Sequence, residues 1–162
     1  MRLCRIKHQE TTSAAFYSED RVTPLTVAAA AYADATGTNL GLSNEDHLLA
    51  FLPGGQSAET AATLANWLAE HPESNTSSSL ATEDVELLVP NPKPNKLFLL
   101  AGNYAAHIEE GGGIAAERAE TFPYVFMKPP TTTLTNPGAA VQIPSVSPDS
   151  IDWELELGVV IG

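Results

Sequence analysis

The stretch DWELELGVVIG, residues 152–162, carries the strongest strand pattern in the chain. Its acidic residues, Asp152, Glu154 and Glu156, alternate with apolar residues, and the apolar run VVI follows them. Alternation with a period of two is typical of a half-buried strand, and a continuous apolar run is typical of a strand with neighbours on both sides. The pattern therefore predicts a strand that lies deep in a sheet.

Glu154 and Glu156 fall on the same face of this predicted strand. Side chains two residues apart on one face lie about 6–7 Å apart, because a strand rises about 3.3 Å per residue. Two carboxylates at that spacing repel each other, and burying either one without a partner is costly. A hard divalent cation such as Mg²⁺, Mn²⁺ or Ca²⁺ would relieve the repulsion. The alternative is a solvent-exposed strand face that happens to carry acids.

The composition of the chain excludes several classes of protein. Hydrophobic residues make up 43% of the 162 residues and charged residues 17%, as in globular proteins. The formal net charge of −12 argues against a nucleic-acid or anionic-membrane partner. The sequence has one cysteine, Cys4, and no apolar run long enough to span a membrane. Since the first residues, MRLCRIKHQE, also lack the apolar core of a signal peptide, we expect a cytoplasmic protein.

The front of the chain has the pattern of a small α+β module. Strands are predicted at 1–8, 14–18 and 21–26, the last two as a hairpin in which Pro24 restricts the second strand to a sheet edge. Helices are predicted at 27–36, ending at Gly37, at 43–52 and at 57–70, where an apolar stripe is formed by Ala61, Leu64, Trp67 and Leu68. The polar stretch HPESNTSSSLAT, residues 71–82, predicts a linker. We therefore expect one domain over residues 1–80 and a second over residues 83–162.

In the second half, strands are predicted at 85–90, at 96–102 and from residue 123 to Lys128. This half also carries the residues that could do chemistry. His107 and Glu110 share a face if residues 103–110 form a helical turn. A carboxylate that holds a histidine makes it a general base, and a surface histidine with an acidic neighbour is the alternative. Gly111, Gly112 and Gly113 cannot continue a helix, so the polar segment up to residue 121 is predicted to be a mobile loop that could close over a site.

Lys128 follows a predicted apolar strand and precedes Pro129 and Pro130. A lysine at the end of a strand can carry positive charge into a cleft, where it pairs with a carboxylate or an enolate. A solvated lysine is the alternative. A turn and a further strand are predicted for NPGAAVQIP, residues 136–144.

Four motifs in order give the chain a recognisable pattern. NYxxHxxE at 103–110 is followed by FxKPP at 126–130, by NPG…IP at 136–144 and by DWELELGVVIG at 152–162. This order resembles the fumarylacetoacetate hydrolase family over residues 85–162. The resemblance implies a catalytic domain built around a mixed β-sheet roll, and thus an α+β fold class for the chain. It also implies a divalent metal, usually Mg²⁺ or Mn²⁺, and a homodimer.

Residue roles follow from the resemblance. Glu154 and Glu156 match two metal ligands, His107 and Glu110 match the dyad that activates water, and Lys128 matches a lysine that contacts substrate or intermediate. The expected activity is metal-dependent hydrolysis of a C–C bond in a 1,3-dioxo or acylpyruvate-type acid, as in the catabolism of aromatic compounds. Decarboxylation, isomerisation or hydration of a 2-oxo acid is the alternative within the same family.

The sequence departs from the family pattern in two places. The family often has glycine two residues before the Asn-Tyr pair, whereas this chain has Ala101 there and glycine at the next position, Gly102. The third metal ligand of the family, an aspartate on a later strand, has no counterpart before Gly162. We therefore expect this sequence to be the front part of a longer protein. The alternative is an inactive fragment or a non-enzymatic module.

Overall fold

The computed structural model describes residues 1–115, 120 and 124–161. The chain has an α+β fold, as predicted, and it contains two compact units. The first unit comprises Met1–Pro90 together with Asn136–Gly162, and the second comprises Asn91–Thr135.

A five-stranded antiparallel sheet forms the framework of the first unit. Its strands, in the spatial order β4-β3-β2-β1-β5, are β1 (Leu3–His8), β2 (Thr11–Tyr17), β3 (Arg21–Pro24), β4 (Leu80–Ala81) and β5 (Glu86–Leu88). The predicted strand at 1–8 and the predicted hairpin at 14–26 are confirmed, with Cys4 opposite Ala15 and Phe16 opposite Thr23. The Ser18 N–H donates to the Arg21 carbonyl across the turn at 2.9 Å.

Both faces of this sheet are covered. Ala14 and Ala15 are neighbours on β2 and point to opposite faces, yet both are buried. Ala14 packs with Leu25 and Phe51, whereas Ala15 packs with Ile6 and Val22. Strand residues that are buried on both faces explain why alternation is weak in the N-terminal sequence.

Three helices and two 3₁₀ turns accompany the sheet. They are α1 (Leu25–Thr36), the 3₁₀ turn Leu49–Phe51, α2 (Ala58–Glu70), α3 (Pro72–Ser78) and the 3₁₀ turn Thr82–Asp84. Helix α1 ends where predicted, at Gly37, whose left-handed φ of 74° lets its N–H reach the Ala33 carbonyl at 2.8 Å. The apolar stripe predicted on α2 is the buried face of that helix, formed by Ala61, Leu64, Trp67 and Leu68.

The helix predicted at 43–52 is wrong, except for the 3₁₀ turn at its end. The segment instead bonds to the sheet. The Ala14 N–H donates to the Glu45 carbonyl at 2.8 Å, and the Asn44 side chain donates to the Thr12 carbonyl at 3.1 Å. Buried Arg5 donates to the Asp46 carbonyl as well. These tertiary hydrogen bonds replace those of the helix, although the local sequence favours a helix start.

Pro24 does not place β3 at the edge of the sheet, because β4 lies outside it. Strand β4 pairs only with Arg21 and Val22, so the missing N–H of Pro24 is not needed there. Within the stretch predicted as a linker, residues 72–78 form helix α3, which begins at Pro72. The domain boundary that we place in this stretch stays a prediction.

The second unit contains a two-stranded antiparallel ribbon. Strand β6 (Leu97–Ala101) pairs with β7 (Tyr124–Lys128), and helix α4 (Ala105–Glu110) follows β6. A short helix, Pro130–Thr133, follows β7. The strands and the helical turn predicted here are confirmed, and Pro123 of the predicted strand lies outside the described residues.

Residues 134–161, all of which the structure describes, form turns and bends but no helix or strand. The strands predicted within 136–144 and 152–161 are therefore wrong for this structure. A strand needs a neighbour to satisfy its backbone groups, and the apolar residues of the second stretch have none to pack on: Trp153 is 85% exposed and Leu155 91% exposed. The turn predicted at the start of 136–144 is confirmed, since the Ala139 N–H donates to the Asn136 carbonyl at 3.1 Å.

No helix among the described residues is long and apolar enough to cross a membrane.

Candidate active site

Helix α4 brings the predicted dyad together. His107 and Glu110 are three residues apart on this helix, and His107 Nδ1 lies 3.6 Å from Glu110 Oε2. Both side chains are mainly exposed, at 57% for His107 and 79% for Glu110. Nδ1 is the ring nitrogen that faces the carboxylate, so Nε2 lies on the side of the ring away from Glu110. The 3.6 Å separation is within ion-pair range and longer than a hydrogen bond.

Glycines fix the end of this helix directly after Glu110. The Gly112 N–H donates to the Glu109 carbonyl at 2.9 Å, and its φ of +77° lies in the left-handed region that favours glycine. A Cβ on Gly113 would lie 2.8 Å from Ile108 Cγ2, so a larger residue would displace the helix end. The predicted break after Glu110 is confirmed. Residues 116–119 and 121 of the predicted mobile loop lie outside the described residues.

The turn from β6 to α4 contains Gly102, the glycine that lies one position after the place where the family pattern has it. Ala101 is the last residue of β6, and Gly102 follows it with a φ of 66°. The left-handed conformation that starts the turn is thus at residue 102, where the chain has glycine, and Ala101 occupies an ordinary strand position. The departure from the family pattern at Ala101 leaves the dyad helix in place.

Lys128 lies at the other end of the ribbon. It is the last residue of β7 and is opposite Leu97, whereas α4 follows Ala101, which is opposite Tyr124. Four residues separate the two ends along each strand, which corresponds to about 13 Å. The ribbon therefore places the backbone of Lys128 far from the start of the dyad helix.

Glu154 and Glu156 are exposed residues of the irregular segment 134–161, in the first compact unit, whereas the dyad and Lys128 are in the second. Carboxylate oxygens are suitable ligands for a hard divalent cation. Among residues 1–115, 120 and 124–161, however, no three His, Cys, Asp or Glu side chains are grouped so that they could hold a metal ion. The donor chemistry fits a metal, and the described residues do not assemble a complete site.

Asn136 has a structural role that the sequence did not reveal. Its Oδ1 accepts a hydrogen bond from the Val89 N–H at 3.0 Å, and its Nδ2 donates to Glu86 Oε1 at 3.4 Å. The Asn-Pro-Gly motif predicted only a turn. Asparagine in such a turn has a side chain that can bond to backbone, but the sequence does not indicate a partner strand that is distant along the chain.

Comparison with known proteins covers the part of the chain that holds these residues. The family model for the C-terminal domain of fumarylacetoacetate (FAA) hydrolase matches residues 96–162. An uncharacterized protein of Pyrococcus horikoshii is 39% identical over 70 residues, which is 43% of this chain and 28% of the relative. An uncharacterized protein of Pyrococcus abyssi matches to the same extent.

The chain thus spans 28% of the length of the curated relatives that it matches. Within the matched segment lie all five residues singled out from the sequence, namely His107, Glu110, Lys128, Glu154 and Glu156. All four motifs lie within the matched residues 96–162. Residues 96–162 are thus similar to the C-terminal domain of the fumarylacetoacetate hydrolase family, the family that the four motifs resemble.

Proposed function

We propose that the whole protein is a metal-dependent hydrolase that cleaves a C–C bond in a 1,3-dioxo or acylpyruvate-type acid. The observation that carries this proposal is the pairing of His107 with Glu110 within the family-matched segment. An exposed His–Glu pair alone is common on protein surfaces. Here it lies between a ribbon and a glycine-fixed helix end, in the segment for which the family match implies enzymatic chemistry.

His107 supplies the base in this proposal. Its Nε2 takes a proton from a water, the resulting hydroxide adds to a substrate carbonyl carbon, and the C–C bond next to that carbon breaks with its electrons going to the departing enolate. Glu110, at 3.6 Å from Nδ1, fixes the ring orientation and stabilises the imidazolium that forms. A positioned base contributes a factor of about 10²–10⁴ in rate.

Lys128 supplies positive charge for the substrate. Its ammonium group pairs with a carboxylate or with the enolate of the leaving fragment. In a chain with 8 basic and 20 acidic residues, such a cation is needed to attract an anionic oxo acid.

Glu154 and Glu156 are the ligands that we propose for a divalent cation such as Mg²⁺, Mn²⁺ or Ca²⁺. When bound, the cation would polarise substrate oxygens as a Lewis acid. Two carboxylates leave several coordination positions for other ligands, including substrate oxygens. We also propose that the protein is a homodimer. Because the sequence has the single cysteine Cys4, we propose that it resides in a reducing compartment such as the cytoplasm.

Decarboxylation, isomerisation or hydration of a 2-oxo acid is the second candidate. These reactions also pass through an enolate that a cation and a lysine can stabilise. Hydrolysis is preferred because a His–Glu pair suits the activation of water. A non-enzymatic binding module is the candidate from another class, and the exposure of Glu154 and Glu156 in this structure favours it.

A product screen separates these candidates. Acylpyruvate, oxaloacetate and a 2-hydroxy-dienoate are incubated with the protein, with and without Mg²⁺, and the products are identified by mass spectrometry. The hydrolase proposal predicts Mg²⁺-dependent release of pyruvate from acylpyruvate and less product from the other two acids. Product from oxaloacetate or the dienoate alone would favour the second candidate. No product from any of them, with native mass showing the protein intact, would favour the binding module.

A further inference from the structure

The first compact unit contains a cleft of about 180 Å³ beside its sheet. Helices α2 and α3 supply one side of the cleft, and strands β2 and β3 supply the other. It lies outside residues 96–162, the segment that the family model matches. A dry cavity of about 150 Å³ is sufficient to hold a benzene ring, so this cleft has the size for one ring or a short branched chain.

The inner part of the cleft is apolar. Phe16 from β2 and Leu68 from α2 face it, together with Ala65 and Ala69 of the same helix. Leu68 is only 5% exposed, and Phe16 packs against the core clusters, so this wall is fixed. The two alanines leave the space that larger side chains would fill. An apolar body is the part of a ligand that suits this wall.

The polar part of the cleft offers hydrogen-bond donors. Asn75 Oδ1 accepts from the Thr23 hydroxyl at 2.9 Å, which orients the amide and leaves its Nδ2 without an acceptor among the described residues. Thr23 is 3% exposed, so this orientation is held from within the core. None of the described residues that line the cleft is acidic.

Arg2 adds a positive charge beside these donors. Its backbone carbonyl accepts from the Tyr17 N–H at 3.0 Å, and its guanidinium lies 4.8 Å from the centre of the Tyr17 ring. The guanidinium also lies 3.7 Å from Glu19 Oε1, but both side chains are largely exposed, at 62% and 88%, so this pair is weak. A ligand carboxylate can therefore replace Glu19 as the partner of Arg2.

We propose that this cleft binds a small carboxylic acid with an apolar body of about one ring. The carboxylate bonds to Arg2 and to the Asn75 amide, and the apolar body lies on Phe16, Leu68 and the two alanines of α2. The site is separate from the proposed reaction and does not depend on it. It would make the N-terminal unit a binding module for organic acids.

Titration of the whole chain with benzoate, followed by NMR, tests the proposal. Benzoate is expected to bind with a dissociation constant on the order of 1 mM, as a ligand of its size allows, and to shift the Asn75 side-chain amide and the Ala65 and Ala69 methyl signals. Benzamide has the same shape without the charge, and acetate has the charge without the ring. Both are expected to bind at least about tenfold more weakly.

Three variants locate the binding. Arg2→Gln should weaken benzoate binding about tenfold, since it removes a charge-assisted hydrogen bond. Ala69→Leu should abolish binding, because the exposed helix position tolerates leucine while the added side chain fills the cleft. Lys7→Gln, which removes a cation on β1 outside the cleft, should leave it unchanged. Unshifted signals of buried Leu64 in each variant would show that the fold is retained.

Two results would overturn the proposal. The first is an absence of amide and methyl shifts at benzoate concentrations tenfold above the expected dissociation constant. The second is benzoate binding that Ala69→Leu leaves unchanged, or that Arg2→Gln and Lys7→Gln weaken equally, because the acid would then bind elsewhere. Since turnover is not measured, neither result bears on the proposed hydrolase activity.

Discussion

The side chain of Asn136 occupies the place of a strand partner for Val89, whose N–H it accepts at 3.0 Å. Val89 directly follows β5, and the pairing of β5 with β1 extends from Glu86 to Leu88. The asparagine thus continues the hydrogen bonding of the sheet edge for one further residue. It also connects the start of the irregular segment 134–161 to the N-terminal sheet.

Asn136→Ala should destabilise the first unit by about 1 kcal/mol, since the half-buried Val89 N–H loses its acceptor. Urea denaturation monitored by circular dichroism measures the change. Asn136→Asp keeps an acceptor for Val89 but places a second carboxylate beside Glu86, so its loss of stability should shrink at low pH. Equal stability of the alanine variant and the wild type would show that the bond contributes nothing.

His107→Ala should lower turnover of the preferred acid about 10²–10⁴-fold while leaving metal affinity nearly unchanged, because the base is lost and the proposed ligands remain. Steady-state kinetics and calorimetric metal titration measure the two quantities. The matched control is His47→Ala, which removes a histidine 3.1 Å from Glu45 outside the family-matched segment. A similar loss of turnover in both variants would contradict the assignment of the base.

Glu156→Ala should abolish metal-dependent turnover and weaken binding of Mn²⁺, because one of the two proposed carboxylate ligands is removed. Mn²⁺ binding can be followed by electron paramagnetic resonance even where turnover is absent. Glu83→Ala removes an exposed carboxylate of the first unit that is not a proposed ligand and serves as the control. Unchanged Mn²⁺ binding in the Glu156 variant would remove this residue from the site.

Leu64→Ala should lower the free energy of unfolding by about 2–5 kcal/mol, because the Leu64 side chain of α2 is fully buried in a cluster with Ala28 of α1. The same truncation at Leu49, which is 45% exposed, should cost less than about 1 kcal/mol. Chemical denaturation of both variants makes the comparison. Equal costs would mean that α2 does not form the core face that its stripe indicates.

Burial raises the pKa of the Cys4 thiol from 9.0 to about 11. At pH 9 the native chain should therefore react with iodoacetamide tens of times more slowly than the urea-unfolded chain, because the thiolate is the reactive form. The folded state keeps its proton between pH 9 and 11 whereas the unfolded state loses it, so this group lowers stability as pH rises through that range. Cys4→Ala should remove that part of the pH dependence. Equal alkylation rates in the two states at pH 9 would contradict the shift.

Local patterns in the sequence predicted most of the N-terminal elements and the dyad. The stripe on α2, the stop at Gly37 and the spacing of His107 and Glu110 each depend on neighbours a few residues away. These predictions are correct because the tertiary contacts favour the same local structures as the neighbouring residues do.

The wrong predictions have a common cause, which is contacts between residues that are distant in the sequence. Segment 43–52 has a helix-like sequence, but Ala14 and Arg5 bind its backbone to the sheet. Segment 152–161 has a strand-like sequence, but a strand exists only with a partner, and the sequence does not say which one. The role of Asn136 depends on β5 in the same way.

The order of strands in the first sheet also determines when that sheet can be completed. Strand β1 meets β2 across a turn of two residues, whereas its other neighbour, β5, begins only at Glu86. Pairing β1 with β5 closes the long loop between them, and the entropy of that loop is lost before the strand pairing stabilises the chain. Contacts between residues that are distant in the sequence therefore slow folding. During synthesis β1 must therefore remain with one unpaired edge until β5 has been made. That exposed edge is the point at which a chaperone, or a second nascent chain, would compete with correct folding.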